Sequence, residues 1–346
     1  MESESPTGTP ARSRHVTVRD GKAGLPYSKG LMARSIMASG LPPSRAHHVA
    51  EVIEQHLHER ELDSVSSIEL RDLAARVLED VVGPRYADNY LTWQRAQDRD
   101  RPLIVLLGGS TGVGKSTIAT TIAGRLGIVR IVSSDAVREV MRGIFTREMM
   151  PSLHASSFDV AEHLREPPVD DTDPVIAGFR RQVQAVSVGV TQLIRRAVVE
   201  GTDVIIEGAH VVPGFVQLPD SSEAIVAPMM VTVDDEQSHR SHFVARQQDT
   251  RSRRHRNYLD YMTQIRLIQD YLRGLAVEHG VPIVPSYSLD ATVARVMQLV
   301  VSQLTEANDH PTPQPKPNQN AAPAASGPVA AGLAEDTVPV GTPRRP

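Results

Sequence analysis

The apolar positions change period near residue 102, and the chain divides there. Before that point they recur three and four apart. Val49, Val52, Ile53 and Leu57 share one face of a helix opened by Pro43-Ser44, and Leu70, Leu73, Val77 and Leu78 share one face of the next. Ser66 and Glu69 form a capping box ahead of that second stripe. A helix over 28–39, closed by Gly40, comes before them, and one over about 86–96, carrying Tyr90 and Trp93, comes after. Val16-Thr17-Val18-Arg19, a turn at Asp20-Gly21 and the stretch to Tyr27 predict a short leading hairpin. Residues 15–95 thus read as a small, mostly helical domain, and the charged run 96–101 reads as a linker.

Beyond 102, short apolar runs alternate with helical stripes. Strands are expected at 103–107, 129–133, 203–206, 224–233 and 282–285. The longest helix, over 175–200, turns Phe179, Val183, Val186, Val190, Leu193, Ile194 and Ala197 inward. Such alternation predicts an α/β fold over 102–304, a parallel sheet with helices on both faces. The two ends, 1–14 and 305–346, are expected to be disordered. They are rich in small, polar and proline residues, and nine of the 25 prolines fall in 311–346.

Composition narrows the partners. With 346 residues and 40% hydrophobic content, the chain can bury the cores of two domains. The net charge of −4, from 37 basic and 41 acidic side chains, sets up no global field for nucleic acid or anionic lipid. Aromatic residues, at 4%, are too scarce for a stacking platform. The absence of cysteine excludes disulfides, thiolate metal sites and thiol nucleophiles. The polar, acidic N-terminus is no signal peptide, and no apolar run is long enough to span a bilayer. The expectation is a cytoplasmic protein with neither a membrane nor a nucleic-acid partner.

Basic residues are nearly all arginine; the lysines are Lys22, Lys29, Lys115 and Lys316. Lys115 lies in Gly109-Ser110-Thr111-Gly112-Val113-Gly114-Lys115-Ser116-Thr117, which fits the phosphate-cradling pattern G-x-x-x-x-G-K-[ST]. A buried strand before it and a helix over 116–126 after it supply the setting this chemistry needs, because the helix N-terminus adds positive charge at the phosphates. The loop is assigned to ATP, with Lys115 reaching the β- and γ-phosphates and the Ser116 hydroxyl holding Mg²⁺. A guanine-reading Asn-Lys-x-Asp segment is absent, which argues against a GTPase.

Further candidates sit at expected strand ends. Asp135 follows the second strand, where a carboxylate can take a proton from an attacking hydroxyl or simply cap the next helix. Arg138 and Arg142, one and two turns on, can fork onto an anionic acceptor. Glu207 closes the apolar strand Val204-Ile205-Ile206, as the acid of a Walker B element does, and would support the metal; His210 is a weaker candidate for touching substrate. Arg246 and the run Arg251-Ser252-Arg253-Arg254 read either as a lid closing over the γ-phosphate or as a solvated loop. His47, His48, His56, His58, His239 and His242 read as surface-helix residues.

Two resemblances extend this reading. Val16-Thr17-Val18-Arg19-Asp20-Gly21, Pro26-Tyr27-Ser28-Lys29 and Gly83-Pro84-Arg85-Tyr86-Ala87-Asp88-Asn89-Tyr90 resemble the ATP-cone, a small regulatory nucleotide-binding domain. That likeness implies a regulatory nucleotide near Arg19, Lys22 and Lys29, and association of copies through this domain. The core from about 101 to 304 resembles the 2-phosphoglycerate kinases. Gly108 to Thr117, Ser133-Ser134-Asp135-Ala136-Val137-Arg138-Glu139-Val140-Met141-Arg142, Ile206-Glu207-Gly208-Ala209-His210 and Pro213-Gly214 carry the likeness. It implies transfer of the ATP γ-phosphoryl group to a hydroxyl of a small anionic metabolite, 2-phosphoglycerate first, giving 2,3-bisphosphoglycerate. A kinase for an inositol phosphate or a nucleotide-sugar remains an alternative, as does an ATP-responsive regulatory NTPase.

Overall fold

The computed structural model describes residues 16–20, 23–60, 62–97, 99–164, 166, 168, 171–249 and 258–309, with 23, 245–249 and 308–309 as backbone only. At its centre is strand β4 (Leu103–Gly108), every residue of which is buried. It lies in a parallel five-stranded sheet of order β5-β6-β4-β7-β8, with β5 at Ile131–Ser133, β6 at Val204–Gly208, β7 at Ile225–Thr232 and β8 at Ile283–Pro285. The continuous apolar run is the signature of a strand covered on both faces. Leu103, Val105 and Leu107 point to one side, where helix α5 (Lys115–Leu126) packs through Ile118, Ala119 and Ile122, and α10 (Leu289–Asp309) through Val293, Val296 and Val300. Ile104 and Leu106 point to the other, onto Val186, Val190 and Ile194 of α7 (Pro174–Glu200). On that same side, the N-terminal half of α7 packs Phe179 and Val183 against Ile265, Ile268 and Leu272 of α9 (Met262–Glu278).

Residues 16–90 supply a separate cluster. Strands β1 (Thr17–Asp20) and β2 (Ala23–Pro26) form the hairpin, and a third strand, β3 (Ser64–Ser66), pairs in parallel with β1. No alternation announces so short a strand, so the sequence pattern missed it. Around the sheet stand α1 (Lys29–Met37), α2 (Pro43–Glu59), α3 (Ser67–Val81) and α4 (Pro84–Gln97). The capping box forms: the Ser66 hydroxyl accepts from Glu69 N at 3.1 Å, and Ser66 N donates to the Glu69 carboxylate at 2.9 Å.

Helix α4 belongs to both clusters. Its Tyr90 lies in the N-terminal core, whereas Trp93 and Ala96, joined by Ala38, lie in the cluster behind β4. The charged run expected to be a linker is tied down: Arg99 pairs with Asp203 and covers the Trp93 ring, and Arg101 donates to the carbonyls of Ser221 (2.6 Å) and Ala307 (2.9 Å). Helix α10 runs on to Asp309, so residues 305–309 are helical rather than part of the expected tail; Leu304 and Ala307 extend its apolar stripe by one more turn. The segments 1–14 and 310–346 lie outside the described residues. No helix among the described residues is long and apolar enough to cross a membrane.

Trp93 is 3% exposed at the seam of the two clusters. Truncating it to Ala is expected to cost about 3–5 kcal/mol, the range for a large buried aromatic. Urea unfolding of the full chain measures the loss, and a change below about 1 kcal/mol would mean that the seam contributes little to stability.

Candidate active site

The nucleotide loop leaves β4 at Gly108 and enters α5 at Lys115. Its backbone occupies conformations that a side chain would strain. Gly109 has φ +149°, and a Cβ there would lie 2.5 Å from Val231 O; at Gly112 (φ +87°) a Cβ would lie 2.3 Å from the Phe243 ring. Lys115 is 9% exposed and folds back over the loop, donating from Nζ to Ser110 O at 2.8 Å. The Ser110 hydroxyl is buried without a hydrogen-bond partner in the protein. A glycine-lined cradle at a helix N-terminus, with a lysine and an unsatisfied hydroxyl at its rim, fits the phosphates of ATP.

Strand β6 lies beside β4 and brings Glu207 to the same end of the sheet. The Ser116 hydroxyl donates to Glu207 Oε1 at 2.9 Å, and Glu207 is 6% exposed. A hydroxyl and a carboxylate next to the phosphate cradle are hard oxygen donors of the kind Mg²⁺ takes, so the residues present fit that ion.

Strand β5 flanks β6 on its outer side and leads into α6 (Ser134–Ile144). The helix cap is Ser133, whose hydroxyl accepts from Ala136 N at 3.0 Å. Asp135 is thus spared capping duty and is 67% exposed in its side chain, with Oδ1 3.5 Å from Arg138 Nε and 4.0 Å from His210 Nδ1. The Arg138 guanidinium is turned underneath, its Nη1 donating to Ala155 O and to Leu153 O. Arg142 pairs with Glu139 at 2.7 Å.

Beneath Asp135 runs a buried polar chain that the sequence reading did not assemble. Gln182 of α7 donates from Nε2 to the carbonyls of Ser152 (2.6 Å) and Ala155 (3.1 Å), which leaves its Oε1 to accept from His210 Nε2 at 2.9 Å. With the proton on Nε2, His210 Nδ1 accepts from the Ser134 hydroxyl at 3.0 Å. Burial, with lesser effects from Arg138 and Lys115, pushes the His210 pKa down to about 4, against the opposing pull of Asp135. His210 is therefore a neutral strut that fixes where α6 begins, and its 1% exposure argues against the expected direct contact with substrate.

A second strut clamps the nucleotide loop. His239, on helix α8 (Glu236–Asp249), is fully buried and meets Thr111 O through Nε2 at 2.8 Å; His242 meets Gly112 O through Nδ1 at 3.0 Å. The His239 ring stacks on Phe243, and Phe243 stacks on Tyr258. Burial lowers the His239 pKa to about 4, outweighing the opposing effect of the Thr111 bond. The expectation of surface histidines fails here, because α8 docks one face on the loop. Arg246 lies on the same helix with only its backbone described, and Arg251 to Arg254 lie outside the described residues.

In the N-terminal unit, two members of the expected phosphate-facing cluster are described. Lys29 is drawn to Glu51 (3.8 Å) and Glu54 (3.4 Å) on α2, Arg19 is exposed on β1, and Lys22 lies outside the described residues.

Two outcomes follow from this geometry. Gly112→Ala is expected to raise the KM for ATP at least about tenfold, equivalent to about 1.4 kcal/mol. Phe243→Ala in the same chain should recover part of that loss by clearing the ring from the new Cβ, and steady-state kinetics on both variants reads it. Second, His210 and His239 hold pKa values of about 4 in the fold against 6.5 when unfolded. Below that upper value the unfolded chain binds protons that the fold refuses, so stability falls as pH drops from 6.5 to 4, by on the order of 3 kcal/mol per histidine at the acid end. Melting temperatures across that range should fall less steeply for His239→Gln, which keeps a donor for Thr111 O.

The Zeta toxin family model matches residues 87–159. The 2-phosphoglycerate kinase of Methanopyrus kandleri is 36% identical over 304 residues, covering 88% of this chain and 92% of that protein. The enzymes of the same name from Methanothermobacter thermautotrophicus and Pyrococcus furiosus are each 38% identical, covering 79% and 84% of this chain and 89% and 94% of theirs. Among solved structures, a shikimate kinase from Acinetobacter baumannii in complex with shikimate aligns at 16% identity with a TM-score of 0.35, covering 61% of this chain and 97% of that one, a likeness too slight to carry an argument. On identities of this size over most of both chains, this protein belongs to the 2-phosphoglycerate kinase family.

Proposed function

We propose that this chain transfers the γ-phosphoryl group of ATP to the 3-hydroxyl of 2-phosphoglycerate in the cytoplasm, releasing ADP and 2,3-bisphosphoglycerate. The observation that carries the reading is the convergence of the Lys115 loop, the Ser116–Glu207 pair and the exposed Asp135 carboxylate at the carboxyl ends of three adjacent strands. Open α/β sheets bind their ligands there. The relatives' shared name supports the choice of acceptor.

In this reading the loop amides and Lys115 hold the triphosphate, and Ser116 with Glu207 holds Mg²⁺. When bound, the ion neutralises charge between the β- and γ-phosphates. Asp135 accepts the proton of the acceptor hydroxyl as the new O–P bond forms and the bond to the β–γ bridging oxygen breaks. Arg138, held against the 153–155 carbonyls with its Nε 3.5 Å from Asp135, is assigned to the acceptor's anionic groups, and Arg142 lies one turn beyond. Arg246, Arg251 and Arg254 are assigned to the γ-phosphate. The N-terminal unit is assigned a regulatory nucleotide near Arg19, Lys22 and Lys29, next to the cavity of about 480 Å³ lined by Val18, Asp20, Tyr27 and Ser28, and it offers a surface for association of copies.

The test is steady-state kinetics with competing acceptors at equal concentration: 2-phosphoglycerate, 3-phosphoglycerate, an inositol phosphate and a nucleotide-sugar. Lys115→Ala should lower turnover by about 10²–10⁴ without unfolding the chain. Asp135→Asn should lower kcat with little change in the KM for ATP, whereas Arg138→Lys should raise the acceptor KM well above any change for ATP. Preference for another acceptor would overturn the substrate assignment, and turnover indifferent to every acceptor would overturn the kinase reading in favour of a regulatory NTPase.

A further inference from the structure

A second basic cavity, of about 560 Å³, lies far along α5 from the nucleotide loop, between α1 of the N-terminal unit and the C-terminal end of α5. Three arginines line it from three elements: Arg34 on α1, Arg99 just after α4 and Arg125 in the last turn of α5. The cavity holds one carboxylate, Asp203, and Arg99 already occupies it. Among the described residues neither Arg34 nor Arg125 has a carboxylate within ion-pair distance. Arg125 is the more telling of the two. It is 6% exposed, its Nε has no hydrogen-bond partner, and its one contact is a long 3.4 Å bond to Gly40 O. Burial lowers its pKa, and the Asp290 charge opposes that. A guanidinium withdrawn from water without an ion-pair partner is costly, and the cost is met when an anion enters.

We propose that this cavity binds a small phosphorylated anion, gripped by Arg34 and Arg125 with Arg99 at its edge, at the junction of the N-terminal unit and the nucleotide-binding core. Guanidinium forks match phosphate oxygens two at a time, and the volume suits a ligand between pyrophosphate and a nucleotide. An anion here ties α1 to α5, and α5 begins at Lys115, about 15 Å from Arg125 at 1.5 Å per residue. Occupancy is thereby coupled to the helix that carries the nucleotide loop. The site is separate from the N-terminal unit's own cavity and from the phosphoryl-transfer site, and it stands whether or not 2-phosphoglycerate is the acceptor.

Residue-resolved arginine modification by phenylglyoxal, read by peptide mass spectrometry on the full chain, tests it. Pyrophosphate at about 1 mM should slow modification of Arg34 roughly sixfold, as a dissociation constant near 0.2 mM requires. The protection should persist in Lys115→Ala, where the nucleotide loop is impaired, and vanish in Arg125→Met. Should Arg125→Met fail to fold, calorimetry takes its place: the pyrophosphate heat left in Lys115→Ala should disappear in Lys115→Ala/Arg34→Glu, which alters only an exposed side chain. An Arg34 rate unchanged up to about 10 mM pyrophosphate overturns the proposal, as does equal binding by those two variants. Parallel arms with ATP and with 2-phosphoglycerate identify the source of the phosphate. Protection by ATP alone marks a nucleotide effector, and protection by the phosphorylated acid marks control by the metabolite.

Discussion

The site depends on how closely backbone approaches backbone at the carboxyl ends of β4 and β6. At Gly208 a Cβ would stand 1.9 Å from the Ser134 hydroxyl, and at Gly108 one would stand 2.4 Å from Val211 O. With hydrogen in those places, the start of α6 settles directly on the end of β6, and the 208–212 turn settles on the end of β4. That contact sets the position of Asp135, since Asp135 follows Ser134 by one residue and Ser133 supplies the helix cap. Glu207, the residue before Gly208, is held by the same contact against Ser116. One steric condition therefore places Glu207 and Asp135 together at this end of the sheet.

Buried neutral histidine is the recurring device for bracing these ends. Each of two histidines spends its ring on fixing backbone: His210 joins α6 to α7 through Ser134 and Gln182, and His239 joins α8 to the nucleotide loop at Thr111. An imidazole suits both tasks because it offers a donor and an acceptor in one rigid plane. Near neutral pH the burial that depresses each pKa keeps both rings neutral.

The parts written in local patterns were legible in the sequence. Continuous apolar runs marked β4, β6 and β7, since doubly covered strands cannot be polar on either face, and the Ser66–Glu69 spacing marked a capping box because its bonds lie within one turn. The nucleotide loop was legible for the same reason: its glycines, lysine and serine are contiguous. What escaped was polar burial across long sequence separations. Gln182 and His210 are 28 positions apart, His239 and Thr111 128 apart, and nothing in either local pattern distinguishes a buried polar partner from a surface one. Lys29 shows the same limit: its pairing with Glu51 and Glu54 on the neighbouring helix lies more than twenty positions away and leaves no local mark.

The seam at α4 gives the two clusters a mechanical relation that neither period could reveal. A helix with Tyr90 in one core and Trp93 and Ala96 in the other cannot shift against either without opening a cavity, so packing forces the N-terminal unit and the face behind β4 to move together. On that same face α5 connects the nucleotide loop at its start to the Arg125 cavity at its end. A ligand that stiffens the far end of α5 acts on a helix whose first residue is Lys115. Ligand effects can therefore pass from the junction to the phosphates through packed helices alone, without any hinge between domains.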